Sequence, residues 1–294
     1  MASGETYTST LNDSLNSMVA AARAVREFKG VMTNLVDKQT LKPGTGMTWN
    51  EASYDRLSAS AASETDRYEN PQQFSDSNFP VTPSLTVVHT VITDMVAERI
   101  AQIGFAKMGS LAQNAIQRKK DQDILLVFDG ATVSQPGAGN SLTSGVISAM
   151  AQQITSNATE PWDGPIYCVL HGYQVHDIFS EITAGVGTYP IPDGMTRDTF
   201  ANGFQGKINN AEVYIDGNLS IDSASDAKGG VFAGGAGGAI VLVQGKSPWK
   251  TMRDEPSLGG GGKSVWLWDN YAVGERSAGN WNKEAYSDAT APTS

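Results

Sequence analysis

The chain reads as an α+β fold, and three stretches predict it. A β-branched run, Pro83 to Thr93, leads straight into a long helical pattern, Thr93 to Asp129. Short apolar runs and amphipathic helices then follow one another without a regular βα period, which argues against a doubly wound sheet. The last third is strand punctuated by glycine, from AEVYID at Ala211 to the run that begins at Lys263.

In chain order, Leu11 to Phe28 carries Leu11, Leu15, Met18, Val19, Ala22 and Val25 at helical spacing, and Val31 and Leu35 extend the stripe past Gly30. So short a stripe needs a surface, on its own domain or on a neighbouring subunit. Residues 41–82 are polar and turn-rich, about 40 residues with no strong helix, which is long for a loop in a compact domain. Alternation at Met47 and Trp49, then at Leu57, Ala59 and Ala61, predicts an extended hairpin. Its large groups are Trp49, Tyr54, Tyr68 and Phe74. A hairpin of this composition cannot bury itself and is expected to dock on something else.

Pro83 to Thr93 is the clearest strand, with Leu85, Val87, His89 and Val91 as one alternate set. In the helical pattern after it, Val96, Ile100, Ile103, Met108, Leu111, Ala115 and Ile116 mark one face. Gly104 and Gly109 each weaken a helix interior by about 1 kcal/mol. The pattern therefore predicts a short helix, a kink near Gly104, and a spine from around Phe105 to about Leu126. That spine would be roughly 30 Å long. Ser141 is placed to cap a helix that ends near Thr155, with Leu142, Val146, Ile147, Met150 and Ile154 inward. Pro165 to Leu170 is a short buried strand, Tyr173 to Ile182 and Arg197 to Phe204 are helices, and Ala211 to Asp216 is a strand. Gly229 to Ala233 and Ala239 to Gln244 read as strands joined by a tight glycine turn, and Trp249 to Asp254 and Lys263 to Ala278 close the sheet. No repeat with a period of about 20 to 50 residues is evident.

The chain has 294 residues, enough for one or two domains. Charged residues are 18% and hydrophobic residues 40%, which fits a protein that covers much of its surface with partners, although glycine-rich loops lower the charge as well. A net charge of −10 excludes the basic stripe of a sequence-independent nucleic-acid binder, but not a protein that encloses nucleic acid. No apolar run reaches the roughly 18 residues of a membrane helix. The opening MASGETYTSTLNDS has neither the basic nor the apolar region of a secretory signal, so none is expected. The one cysteine, Cys168, excludes an intramolecular disulfide framework and, within PIYCVL, reads as a buried thiol.

Candidate chemistry is thin. His171 and His176 straddle a strand-to-helix join and lack the one-face spacing of a zinc helix, while His89 sits in a strand. In GGVFAGGAGGAIVLVQG the glycines lie between strands, with no helix N-terminus to hold a pyrophosphate, so a hairpin turn is expected. GGGGKS, Gly259 to Ser264, runs into the strand VWLW and reads as a hairpin loop. Asp121, Asp123 and Asp129 with Lys119 and Lys120 could bind a cation, but read more simply as a solvated helix end. No nucleophile elbow, paired-carboxylate context or Cys/His set is present. No catalytic, cofactor or metal site is expected, and no enzyme activity.

The order of these parts resembles the major capsid proteins of tailed bacteriophages, the HK97-type fold. SETDRYENPQQFSDSNFPVTPSLTVVHTVITDMVAERI is similar to that family's passage from its E-loop into its peripheral (P) domain. DGPIYCVLHGYQVHDIF is similar to an axial (A) domain strand that turns into a helix. The stretch from Ile208 to Ser277 is similar to the closing pattern, ending in a turn at Tyr271, Val273 and Gly274.

The resemblance implies an HK97-like capsid fold with an N-arm (1–40), an E-loop hairpin (41–82), a P domain with a long spine helix (83–135 and 236–294) and an A domain (136–235). It implies a structural protein that self-assembles as pentamers and hexamers into an icosahedral shell. That shell encloses double-stranded DNA without sequence-specific binding, and the protein is found in the virion after synthesis in the host bacterial cytoplasm. Portal, scaffolding and decoration proteins are the implied partners; the early start of the arm predicts a separate scaffolding protein or none. The implied subunit-interface residues are Leu11, Leu15, Met18 and Val19 on the arm, and Trp49, Tyr54, Tyr68 and Phe74 on the hairpin. The same fold serves encapsulin shells around protein cargo, an alternative reading. An enzyme with an unrecognised site is a second alternative.

Overall fold

The computed structural model describes residues 27–293, apart from 29, 65–66, 68–70, 100–101, 186–205, 258–259 and 278. Leu11, Leu15, Met18, Val19 and Tyr68, and the expected helix Arg197 to Phe204, lie outside the described residues.

The described chain opens with a short helix α1 (Met32–Leu35) and strand β1 (Asp37–Thr40). A hairpin follows, β2 (Trp49–Tyr54) and β3 (Asp76–Val81), then β4 (Ser84–Thr93) and the helices α2 (Asp94–Arg99) and α3 (Gln102–Leu125). After a 3₁₀ turn at Leu126–Gly130 come β5 (Ser134–Pro136), α4 (Ser144–Thr155), β6 (Ile166–Leu170) and α5 (Gly172–Gly185). The remaining strands are β7 (Lys207–Ile208), β8 (Ala211–Ile215), β9 (Asp226–Ala233), β10 (Ile240–Asp254), β11 (Gly262–Glu275) and β12 (Asn282–Asp288).

Among the described residues one sheet has the order β1-β10-β11-β4, a second β5-β12-β9-β6-β8-β7, and β2-β3 stand alone. The first is built on a long β10–β11 hairpin, paired from Ile240 opposite Glu275 out to Asp254 opposite Lys263, with β4 added along β11. The main core lies around the second sheet, where Phe128, Met150, Ile154, Cys168, Ile178 and Phe232 are fully buried. Two adjacent glycines make β9 fit there. A Cβ on Gly230 would lie 2.3 Å from the Phe128 ring, and one on Gly229 2.5 Å from the Val169 carbonyl oxygen.

Much of the expected pattern is present. The strands at β4, β6 and β8, the helices at α4 and α5, and the β10–β11 loop at GGGGKS fall where the periodicity puts them. Other expectations are corrected. The spine includes Gln102 onwards, with Gly104 and Gly109 inside it, so no kink separates it at Gly104. Its C-terminal half is held by the buried side chains of Ile116, Ile124 and Leu125, and such tertiary packing outweighs a glycine's propensity cost. The cap of α4 is Thr143, not Ser141; its hydroxyl accepts from the Val146 amide at 3.4 Å, while Leu142 just before it is buried. The returning strand of the first hairpin is Asp76–Val81, not Leu57 to Ala61. The glycine run after β9 makes no hairpin. It carries the chain from one sheet to the other, with Gly235 and Gly237 at positive φ. The strand β12 was not foreseen, because it buries Asn282, Lys283, Glu284 and Ser287.

The aspartate–lysine group divides: Lys119 and Asp129 are exposed, as a solvated helix end requires, whereas Lys120 is 6% exposed and Asp121 1%. The Lys120 ammonium pairs with Asp269 at 2.9 Å, donates to Gln244 Oε1 at 3.0 Å and lies over the Tyr271 ring. The Tyr271 hydroxyl in turn donates to Asp123 at 2.7 Å. Ion-paired burial of this kind ties α3 to β10 and β11, since a buried charge must keep its partner.

Candidate assembly surfaces

The β2–β3 hairpin pairs only with itself, from Trp49 opposite Val81 to Tyr54 opposite Asp76. Its two ends have opposite environments. At the root, Trp49, Phe79 and Val81 form a small second core with Val241, Val243 and Ala272. Gly274 on β11 lets them approach: a Cβ there would lie 2.6 Å from Val81 and 2.7 Å from the Phe79 ring. At the far end no described residue buries the apolar groups. Tyr54 (63% exposed) and Phe74 (62%) stack at 5.1 Å, and Leu57 beyond them is also exposed. Polar pairs hold the strands together on the way out, including Ser53 with Ser77 at 2.7 Å and Asn78 with Asn50 at 3.1 Å.

Arg276, just after β11, fixes the root. Its guanidinium binds Glu51 on β2, Asp37 on β1 at 2.7 Å and the Gly238 carbonyl at 2.9 Å, and stands over the Trp49 ring. Arginine suits this place because its planar fork serves several acceptors at once. A cleft of about 530 Å³ opens beside it, between the hairpin root and Glu160, Ser277 and Trp281.

The first sheet has a second uncovered face. Leu85, Val87 and His89, three of the alternate set Leu85, Val87, His89 and Val91 that the sequence marks in this strand, are exposed; Leu85 is 61% exposed. His89 stacks on Trp266 at 4.7 Å, and the cross-strand pair Trp249 and Trp268 stacks beside it at 6.2 Å. Indole pairs on a pleated face shield each other from water, which lets this side stay uncovered.

Among the described residues no group of three or more His, Cys, Asp or Glu is placed to hold a metal ion. Burial pushes the Cys168 thiol up, away from a reactive thiolate. Burial likewise lowers the His171 pKa against the opposing pull of Asp216, and the His171 Nδ1 accepts from the Tyr173 amide at 3.2 Å. No helix among the described residues is long and apolar enough to cross a membrane.

No family model and no curated protein sequence matches this chain. Solved structures do match in fold. The capsid structure of Cyanophage P-SCSP1u superposes with a TM-score of 0.72 at 11% identity, covering 96% of this chain and 95% of the other. The acid-stable capsid of Helicobacter pylori bacteriophage KHP30 gives 0.68 at 12% identity, over 95% and 98%. The Cyanophage Pam1 capsid asymmetric unit gives 0.67 at 12%, over 99% and 100%. The chain has the HK97-type capsid fold. Its likeness to these capsid structures is one of backbone over nearly the whole length, with side chains almost wholly replaced. Within the HK97-type fold, Trp49 of the sequence-derived interface set is half-buried on its own chain, whereas Tyr54 and Phe74 stand free on the hairpin. Sequence reasoning missed Arg276, whose partners lie up to 239 residues away.

Proposed function

We propose that this chain is the major capsid protein of a tailed bacteriophage, assembling as pentamers and hexamers into an icosahedral shell around double-stranded DNA. The observation that carries this is a hairpin fixed rigidly at its root and bare at its stacked Tyr54–Phe74 end, on a chain with the capsid fold over nearly its whole length. Exposed paired aromatics on a projecting arm call for a partner, and in a closed symmetric shell that partner is another copy.

In this reading residues 1–40 are the N-arm and 41–82 the E-loop. Residues 83–135 and 236–294 form the P domain, with α3 as its spine. Residues 136–235 are the A domain, whose sheet takes β5 and β12 from the flanking P-domain segments. The net charge of −10 fits a container that confines DNA by closure and not by neutralising phosphates. Portal and scaffolding proteins are the expected partners, with decoration proteins on the outer face, and the virion is the place of action.

The test is electron microscopy and gel filtration of the purified protein, alone and with Tyr54→Ser and Phe74→Ser combined. Native protein is expected to form uniform icosahedral particles. The double variant is expected to stay a folded subunit, because exposed substitutions change stability by only about 0.5 kcal/mol. Shells formed equally well by the variant would remove the hairpin from the interface. Particles filled with protein cargo would point to an encapsulin, and a monomer at all concentrations would end the shell reading.

A further inference from the structure

Two aspartates that no assembly surface uses meet inside the subunit. Asp121 comes from α3 and Asp216 from the end of β8, and they are 1% and 0% exposed. They hold two successive backbone amides at the point where the chain enters the core. The Val31 amide donates to Asp216 Oδ2 at 3.0 Å, and the Met32 amide to Asp121 Oδ1 at 3.0 Å. Asn218 bridges the two carboxyls, with its backbone amide on Asp216 at 2.9 Å and its side-chain amide on Asp121 at 3.0 Å. The segment before Val31 is moulded to the same spot. A Cβ on Gly30 would lie 2.1 Å from the Asp121 carboxyl carbon, and one on Gly217 2.4 Å from the Phe28 ring.

The charges facing this pair leave it uncompensated. Among the described residues no lysine or arginine forms an ion pair with either aspartate. Arg118, one turn before Asp121, is turned to Glu27 at 3.4 Å, and Lys120 is committed to Asp269. His171, at the end of β6, faces Asp216 but is itself biased towards its neutral form by burial. Two buried carboxylates this close, with no cation, repel each other strongly in a dry site, whereas one shared proton removes the repulsion.

We propose that Asp121 and Asp216 form a proton-operated clasp on the backbone at Val31 and Met32, closed while the pair shares one proton and loosened when that proton is released to water. The supporting electrostatics agree. The Asp121 pKa is raised to about 7, first by burial and then by its hydrogen bond to Asp216, against the opposing donors Asn218 and Met32. Because that value lies above the ordinary 3.8, the clasp's contribution is complete below about pH 4 and is lost as pH rises to 7. The clasp joins α3 to the second sheet within one subunit, so its test is independent of shell assembly.

The experiment is amide hydrogen exchange of the full chain, corrected for intrinsic rates, from pH 5 to pH 8. In the native protein, opening of the 30–36 segment is expected to rise by up to about tenfold per pH unit between 5 and 7 and to level off above. Asp121→Asn, which mimics the protonated carboxyl, is expected to hold the segment closed at every pH. His171→Gln is expected to keep the native slope. A native segment whose opening does not change with pH, an Asp121→Asn protein that keeps the slope, or a His171→Gln protein that loses it would each overturn the clasp. Should Asp121→Asn fail to fold, Asp216→Asn serves instead. It removes the repulsion but leaves the burial, so the midpoint must fall, and an unmoved midpoint overturns the proposal.

Discussion

Phe128 shows how one side chain sets the sequence around it. It is 0% exposed and packs on Phe232 with ring centroids 5.6 Å apart, directly over Gly230. Phe128→Ala is expected to cost about 3–5 kcal/mol, as buried aromatic truncations do. Gly230→Ala overfills the same place and should cost about 1–3 kcal/mol. Since the added methyl occupies space the ring has left, the double variant should lose less than the sum of the two. Urea unfolding of the three proteins checks this, and strict additivity would mean that the two residues do not share the space. The buried Asp121–Asp216 pair is the other local feature with a measurable consequence, the loosening of the 30–36 segment as pH rises towards 7.

The hairpin and the spine are held by different means. Arg276 joins β1, β2 and the crossover glycines, and its removal leaves Asp37 buried (6% exposed) without a cation. Arg276→Ala is expected to cost about 3 kcal/mol and to speed proteolysis within residues 55–75. Arg276→Lys should restore little, because an ammonium cannot reach three acceptors in a plane. A lysine variant as resistant as the native protein would show that charge alone fixes the root. On the spine, Lys120→Met strands a charged Asp269 at 0% exposure and should cost about 3–5 kcal/mol. Adding Asp269→Leu should recover much of that loss, since an apolar pair carries no desolvation penalty. Thermal melting of the single and double variants reads out the difference.

For the molecule as a whole, the rigid root and bare end divide the hairpin's roles. A deletion from Gly44 to Phe79 would remove Trp49 and Phe79 from the second core along with the projecting end. Replacing only residues 55–75 by a short Gly-Ser turn leaves that core intact. The shortened subunit is expected to melt within a few degrees of the native one and to form no shells by electron microscopy. Normal shells would move the interface elsewhere, with the Trp249, Trp266 and Trp268 face as the next surface to test.

Sequence alone determined the α+β class, the projecting hairpin, the β4-to-spine passage and the buried Cys168. Each rests on local periodicity or on apolar content within a few dozen residues, which the chain carries on its face. The resemblance came from the order of those parts, and the fold it implied is shared with capsid structures at 11–12% identity, because order survives when side chains do not. Tertiary structure alone decided the rest. β12 is polar by composition and buried by placement. Arg276 meets Asp37 across 239 positions, and Val31 meets Asp216 across 185. Asp121 looks like one more acid on a helix surface until α3 is laid against the β8 turn. Burial and charge pairing are properties of that arrangement, so no local pattern could have distinguished the clasp from a solvated helix end.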